Sequence, residues 1–446
     1  MTPSTQYIDF YRQMRDIIYA NSSTLLNSQR EAAFEQFNWF GFPAATTEEY
    51  QYTDLVKPFA REYGLNIKRL RTDLDARNVF RCNVGGIGSY NYLVVNDDFI
   101  ANPQPAKLPA GVVIGSLREV SERQPELVAP YLNKLSQTKN DGFVAFNGMF
   151  AQDGFFMYIP DNVVIEKPIQ LVNLMRANVD FMANSRNLIV LGKNAHAQLL
   201  VCEHTAGEVH YFANRLTEIY VAENADFQYY ALENTGQNLA NFSTVLIDQK
   251  ENSQTLTNTI TLHNGITHNN TEIYLNGEQA QTLLCGMVTS DKNQSTSNAT
   301  AIFHNAPNCT STELFKYILD ENSVCGFSGK IFVERNAQKT SAFQTNRNIL
   351  LTNTARMRTK PQLEIYADDV KCSHGATIGQ LDENALFYMQ QRGIPKTEAR
   401  LLLMYAFAAE IVDKIRIAPL CHRIKMMTEN RLRGGRSQAG NCAMCL

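Results

Sequence analysis

The sequence predicts a mainly β protein whose core is a parallel β-helix, flanked by an N-terminal mixed region and a C-terminal helical region. Helix periodicity is absent from residues 141–370, and short runs rich in β-formers fill that stretch. Polar turns rich in Asn, Asp and Gly separate these runs at a regular step, which is typical of a solenoid. A single coil cannot bury its inner face alone, so stacked coils must share one continuous core.

The spacing of the turns defines the predicted coils. The turns align at a step of roughly 26–30 residues, and later at about half that step. The aligned triplets are residues 193–195, 223–225, 251–253, 277–279, 307–309, 321–323 and 335–337. Because side chains alternate along a strand, we expect four of them on the inner face. These are Leu199, Val201, Phe227 and Tyr229.

A β-sandwich made of hairpins is the alternative architecture for this stretch. Asn-Gly pairs are the strongest signal of a two-residue hairpin. Here they occur mainly at Asn264-Gly265 and Asn276-Gly277, which are few for a sandwich of many hairpins. The parallel β-helix, assigned to residues 141–380, is therefore the favoured prediction.

The N-terminal region, residues 1–140, has a mixed pattern. Residues 7–37 are mostly helical in pattern, and a Gly-Phe-Pro break follows at 41–43. Residues 79–114 predict short strands and turns, and residues 124–135 predict one more helix. One helix face is expected to carry Phe10, Met14, Ile17 and Ile18.

Helix periodicity returns in residues 381–432. Thr397 is the predicted N-cap of a helix that reaches Ile415. We expect a small helical pair here, which caps the last coil and offers a surface to a partner. Residues 433–446 predict a flexible tail that carries Cys442 and Cys445.

Composition excludes several classes of function. The chain has 446 residues, of which 44% are hydrophobic and 19% charged, and its net charge is -3. This balance gives no electrostatic basis for binding nucleic acid or an anionic membrane. No apolar run reaches the roughly 20 residues that span a bilayer, and no signal peptide is recognisable. We therefore expect a cytoplasmic protein whose nine cysteines are thiols.

The densest group of reactive side chains lies in residues 367–377. It contains Asp368, Asp369, Cys372 and His374. In an extended strand Cys372 and His374 point to the same face, and thiolate and imidazole are common ligands of iron and zinc. Two ligands do not fill a coordination shell, so others would have to come from elsewhere. The alternative is a buried cysteine and a hydrogen-bonded histidine at a domain junction.

Other candidate sites are weaker. Asp368 and Asp369 could suggest a carbohydrate-cleaving acid pair on a β-helix, but adjacent strand residues face opposite sides. His263 and His268 lack metal-motif spacing and are expected in surface or turn positions. The glycines of residues 85–88 lack the Lys and Ser or Thr of a phosphate loop.

Residues 363–379, LEIYADDVKCSHGATIG, resemble the signature of the SufB/SufD family of the SUF iron–sulfur cluster assembly system. The likeness continues through 381–383, 386–388 and 392–394. Weaker similarities lie at 49–54, at Asn147, and at 153–154 and 167–169. The Lys-Cys-Ser-His-Gly-Ala-Thr form is nearer to the SufD branch, since SufB usually has Glu-His-Glu-Ala at this place.

The resemblance implies a right-handed β-helix and a subunit without its own catalytic centre. It implies pairing with SufB through the β-helices, docking of the SufC ATPase on residues 381–392 and 397–415, and a role in iron entry during cluster assembly. By position, His374 would bind a nascent cluster or iron at the SufB interface, with Cys372 as a secondary ligand. SufC, not this chain, would bind ATP. The resemblance also implies a reduced flavin in the complex and a homodimer of the isolated chain as further expectations.

A SufB-like cluster scaffold is the alternative within the family. It would need cluster-holding cysteines in the β-helix, for which Cys285, Cys309 and Cys325 are the candidates. A β-helix carbohydrate-active enzyme is the alternative from another class.

Overall fold

A computed structural model describes residues 2–44, 46–70, 87–101 and 107–435. It contains a β-solenoid of about seven turns, preceded by a helical region and followed by helices. The predicted mainly β fold with a β-helix core is confirmed. The predicted tail from about 436 onward, with Cys442 and Cys445, lies outside the described residues, as do Cys82 and the first part of the predicted strands at 79–114.

Sixteen strands of the described chain build the solenoid, and odd and even strands form two separate sheets. Each strand from β5 to β18 pairs in parallel with the strand two places later in the chain. Sheet 1 contains β5 (Phe155–Ile159), β7 (Phe181–Leu191), β9 (Tyr211–Val221), β11 (Leu239–Gln249), β13 (Ile266–Leu275), β15 (Ser295–His304), β17 (Val324–Val333) and β19 (Arg356–Ile365). Sheet 2 contains β6 (Ile169–Arg176), β8 (His196–Ala206), β10 (Asp226–Asn234), β12 (Gln254–His263), β14 (Gln281–Ser290), β16 (Thr310–Leu319), β18 (Thr340–Leu350) and β20 (Val370–Gly379).

Asparagines at one corner of the solenoid explain the turn spacing seen in the sequence. Asn162, Asn194, Asn224 and Asn252 all adopt positive φ angles, between 53° and 63°. Asparagine tolerates this left-handed conformation better than most residues. The amide of Asn194 donates to Asn162 Oδ1 at 2.8 Å, and Asn252 donates to Asn224 Oδ1 at 2.7 Å. Neighbouring coils are thus tied together at the corner as well as along the sheets.

The solenoid interior contains the residues that alternation predicted. Leu199, Val201, Phe227 and Tyr229 are all buried in one apolar cluster that runs through the coils. This cluster extends from the first coil to Met357 in the last. Stacking therefore gives the continuous core that a solenoid requires.

The N-terminal region covers the outer face of sheet 1. Its helices are α1 (Pro3–Ala20), α2 (Thr24–Asn27), α3 (Arg30–Phe40), α4 (Val56–Phe59), α5 (Leu117–Arg123), α6 (Pro125–Val128) and α7 (Gly142–Phe150), and its strands are β1 (Gly64–Leu65), β2 (Tyr90–Val95), β3 (Asp98–Ile100) and β4 (Val113–Ser116). Short 3-10 turns lie at Glu48–Tyr50 and Ser136–Thr138. An aromatic cluster joins the helices to the sheet through Phe143, Phe146, Phe212 and Phe242.

Two details of this region differ from the prediction. The expected helix at 124–135 is present only in part, because α6 spans Pro125–Val128 and turns follow it. Asn133 then takes a positive φ of 63°, which no helix accommodates. The predicted break at 41–43 is confirmed, since α3 ends at Phe40 and Gly41 has a φ of 63°.

The C-terminal helices α8 (Glu383–Gln391), α9 (Lys396–Val412) and α10 (Ala418–Leu432) do not cap the last coil as predicted. Instead α9 and α10 lie along the outer face of sheet 2, whose apolar side chains they bury. Asn258 Nδ2 donates to the carbonyl of Ile411 at 3.1 Å, and Arg431 Nε donates to the carbonyl of Leu262 at 2.7 Å. Both sheets have apolar outer faces, so each needs a covering layer.

Pro395 stands at the N-cap of α9, so the prediction of Thr397 as the cap is wrong by two residues. Within the described ranges, no helix combines the length and apolarity needed to cross a membrane.

The two ends of the solenoid differ. At the start, β4 pairs antiparallel with β5, and β2 covers β6 while β3 adds a further antiparallel strand. At the far end β19 and β20 each pair with a neighbour on one side only, within the described part of the chain. The candidate residues lie on β20.

Candidate functional site

The last strand of sheet 2 carries both residues that the sequence singled out. Cys372 and His374 lie in β20, opposite Ala342 and Gln344 of β18. His374 is exposed, whereas Cys372 is half-buried and packs against the cluster that contains Ala342. Burial raises the pKa of the Cys372 thiol.

Register shows which way these two side chains face. In β18 the residues Ala342, Gln344 and Asn346 are buried, while Phe343 and Arg347, on the alternate positions, are exposed. The buried set faces the interior of the solenoid. Since β20 continues the same register, Cys372 and His374 lie on the inward side of the final coil, with no further described coil above them.

One inward row of side chains, which we call the His374 column, runs through sheet 2 with one residue from each strand. Its members are in direct register, and neighbouring strands lie about 4.8 Å apart. They are Ile169, Leu199, Tyr229, Thr257, Leu284, Glu313, Gln344 and His374. The column is apolar at its start and polar at its end.

The polar end of the column is hydrogen-bonded internally. Glu313 Oε1 accepts from Thr300 Oγ1 at 2.5 Å, and Glu313 Oε2 accepts from Gln344 Nε2 at 2.7 Å. Burial raises the pKa of Glu313 to about 7. Gln344 Oε1 is buried and finds no hydrogen-bond partner among the described residues.

Apolar side chains surround this edge. Exposed fractions are 47% for Ile378, 56% for Tyr366 and 43% for Phe343. A long, unpaired strand edge with apolar neighbours is a template for pairing with another chain.

The structure also shows where Asp368 and Asp369 lie. Asp368 and Asp369 are exposed in the turn between β19 and β20, and the main chain of Asp369 bonds to Gln338 and Lys339. They do not form the facing acid pair that carbohydrate cleavage needs. In the described ranges no three His, Cys, Asp or Glu side chains are grouped to hold a metal ion.

The three candidate scaffold cysteines are buried thiols. Cys285, Cys309 and Cys325 are each 0% exposed. Burial raises their pKa values to about 12, 11 and 11 respectively. Because the thiolate is the metal-binding form, these residues are poor ligands in this conformation.

One sequence expectation about histidine is wrong. His268 is buried, not at the surface, and its ring stacks on Tyr50 with 4.3 Å between centroids. Its Nδ1 bonds to Thr53 Oγ1 at 2.8 Å, and burial lowers its pKa to about 3. This contact joins the N-terminal region to sheet 1. His204 is also buried, and burial lowers its pKa to about 4.

Charged residues inside the solenoid were not predicted from the sequence. Glu203 Oε2 lies 2.9 Å from Arg215 Nη1, and Glu233 accepts a hydrogen bond from Thr261 at 2.5 Å. Burial raises the pKa of Glu233 to about 7. Glu203 and Glu233 could have been found from the sequence, because each is a charged residue at a position that strand alternation places on the inner face.

A second exposed surface lies on α8. Phe387 and Tyr388 are 63% and 59% exposed. Arg392 lies over the Tyr388 ring at 5.2 Å and donates to its hydroxyl at 2.9 Å. Exposed aromatic and arginine side chains are typical of protein–protein contact residues.

Comparison with known proteins agrees with this architecture. Residues 1–171 match the family model of the SufBD protein N-terminal region, and residues 174–407 match that of the SUF system FeS cluster assembly SufBD core domain. An iron–sulfur cluster assembly SufBD family protein of Synechocystis is 28% identical over 425 residues, 93% of each chain. SufD of Escherichia coli is 32% identical over 272 residues, 60% of this chain and 64% of that protein. SufD of Bacillus subtilis is 24% identical over 330 residues, 72% and 74% of the two chains. The chain therefore belongs to the SufBD family of iron–sulfur cluster assembly proteins.

Proposed function

We propose that this chain is a SufD-type assembly subunit whose open solenoid end pairs with a SufB-like sister chain. The observation that carries this proposal is the pair of ten-residue strands β19 and β20, each unpaired on its outer side in the described chain. Their edge carries an exposed imidazole and exposed apolar side chains. A sister solenoid docked there would bury these groups and extend the stack.

His374 and Cys372 would then contribute to a shared site for iron or a nascent cluster, which is cargo and not a resident cofactor. His374 is the better ligand because it is accessible. Cys372 is the secondary one, since its raised pKa keeps the thiol protonated until a metal or cation approaches. The remaining ligands would come from the sister chain.

The C-terminal helices would dock an ABC-type ATPase of the SufC kind. The exposed aromatic residues of α8 support this role. Glu410 of α9 forms an ion pair with Lys316 of β16 and lies 3.8 Å from Arg347 of β18. Movement of α9 would therefore be transmitted to the coil next to β20, while nucleotide binding and hydrolysis belong to the partner.

Co-expression with the SufB-like and SufC-like chains of the same genome tests this function. We expect a stable complex, and iron and sulfide that co-purify with it. His374→Ala should leave the complex intact and lower its iron and sulfide content about tenfold or more. Ser373→Ala, on the opposite face of the same strand, is the matched control. Failure of the complex to form, or equal cluster content in the two variants, would contradict the proposal.

A further inference from the structure

The end of the His374 column contains a buried acceptor without a partner. Gln344 is 1% exposed, and its Oε1 has no hydrogen-bond partner among the described residues. A buried, unsatisfied acceptor costs about 1–3 kcal/mol, so its retention needs an explanation.

Glu313 fixes the orientation of that amide. Gln344 Nε2 donates to Glu313 Oε2 at 2.7 Å, so the amide nitrogen faces Glu313 and the amide oxygen faces away from it. Thr300 holds the other carboxylate oxygen in place. Gly329 also lies close to the amide nitrogen, because a Cβ there would collide with Gln344 Nε2 and with the Phe327 ring. The amide therefore has little room to rotate.

We propose that Gln344 is a positioning residue for His374. His374 is the next member of the column beyond Gln344, in direct register and about 4.8 Å along the stack. In the assembled complex Gln344 Oε1 accepts the N–H of one imidazole nitrogen. The other nitrogen then keeps its lone pair and points to the iron that the sister chain helps to bind. This inference rests on the function proposed above.

The chemistry of histidine ligands supports this arrangement. A histidine that binds a metal through one nitrogen usually donates the other N–H to a fixed acceptor, which sets the tautomer and the ring orientation. Removal of such an acceptor typically lowers metal affinity about 10–100-fold. Glu313 is the anchor of the acceptor, and it does not touch the iron itself.

The test uses the co-expressed complex and two readouts. Gln344→Met removes the acceptor at similar volume, and Gln344→Asn keeps an amide that is one methylene too short to reach. We expect both variants to bind ferrous iron, added alone under anaerobic conditions, about 10–100-fold more weakly. In ¹⁵N spectra of histidine-labelled complex, the His374 ring should change from one dominant tautomer to a mixture.

The outcomes separate this inference from the proposed function. Unchanged iron affinity and an unchanged His374 tautomer in both variants would overturn the positioning role, even if His374→Ala abolishes iron binding. If His374→Ala has no effect on iron binding, the proposed function fails, while the tautomer readout still reports on the contact with Gln344. Combining Gln344→Met with His374→Ala should weaken iron binding no further than His374→Ala alone.

Discussion

The two ends of the solenoid are built in opposite ways. At the first coil, β2, β3 and β4 cover the strands, and β3 and β4 run antiparallel to their neighbours. At the last coil, β19 and β20 have an open side in the described chain. The same chain thus closes one stack end with short strands and leaves ten-residue strands open at the other. This contrast supports the interface proposed for the open end, because natural proteins protect long edges that have no partner.

The His374 column shows the same contrast inside the molecule. It begins with Ile169 and Leu199, which are packed in the apolar core. It ends with Glu313 and Gln344, which are hydrogen-bonded to each other, and with His374 on the open edge strand. Apolar packing therefore dominates the closed end of the column, and polar side chains dominate the open end.

The strongest test of this contrast compares large-to-small substitutions at the two ends. Phe155 is fully buried in the first coil, so Phe155→Ala should lower the free energy of unfolding by about 3–5 kcal/mol. Ile378→Ala at the open end should change it by less than about 0.5 kcal/mol in the isolated chain. Urea unfolding of both variants gives the comparison. Equal losses would contradict the idea that the ends differ.

The next test concerns the buried acids between the two ends. Burial raises the pKa of Glu233 to about 7 in the folded chain, above the ordinary value of 4.5. The folded state then binds more protons than the unfolded state between pH 4.5 and 7, so this group's contribution to stability falls as pH rises through that window. Relative to Glu233→Gln, the wild type should lose on the order of 3 kcal/mol between pH 4.5 and pH 8.

Denaturant unfolding of wild type and Glu233→Gln at both pH values measures this difference. The buried histidines act in the opposite direction, because burial lowers their pKa values, but they are common to both proteins and cancel. A constant difference between the two proteins across the pH range would show that Glu233 is already ionised without penalty.

A smaller effect is expected from a charge on the open edge. Ile378→Lys should weaken binding to the SufB-like chain about tenfold or more, since an edge lysine blocks strand pairing. The melting temperature of the isolated chain should not change. Val164→Lys in the first coil is the control, because Val164 has a similar exposed fraction, 54% against 47%. Equal affinities of the two variants, measured by titration calorimetry, would place the interface elsewhere.

The smallest effect concerns the corner turns. Asn252 in the middle of the stack has a φ of 53°, and Lys339 near the open end has a φ of 59°. Lysine is more strained than asparagine in this left-handed conformation. Lys339→Asn should therefore raise the free energy of unfolding by about 0.5 kcal/mol, whereas Asn252→Ala should lower it by about 1 kcal/mol. Thermal unfolding measures whether the two changes in stability have opposite signs. A loss of stability in both variants would refute the strain argument.

The solenoid and the position of the candidate residues could be predicted from local sequence patterns. Turn residues at Asn194, Asn224 and Asn252 set the coil length, and alternation identified Leu199 and Phe227 as inward. Both signals are local, because a left-handed turn and a strand's alternation depend on a few neighbouring residues. The group of reactive residues around His374 was also recognisable from the sequence alone.

The layers that cover each sheet, and the identity of the buried polar groups, could not be predicted without the folded structure. In β7 and β9 every residue is buried, so alternation does not distinguish the solenoid interior from the outer face. The placement of α9 on sheet 2, the burial of His268 under Tyr50, and the meeting of Glu313 with Gln344 all join residues far apart in the chain. Such contacts depend on which apolar surfaces meet when the whole chain folds, and no local pattern encodes that choice.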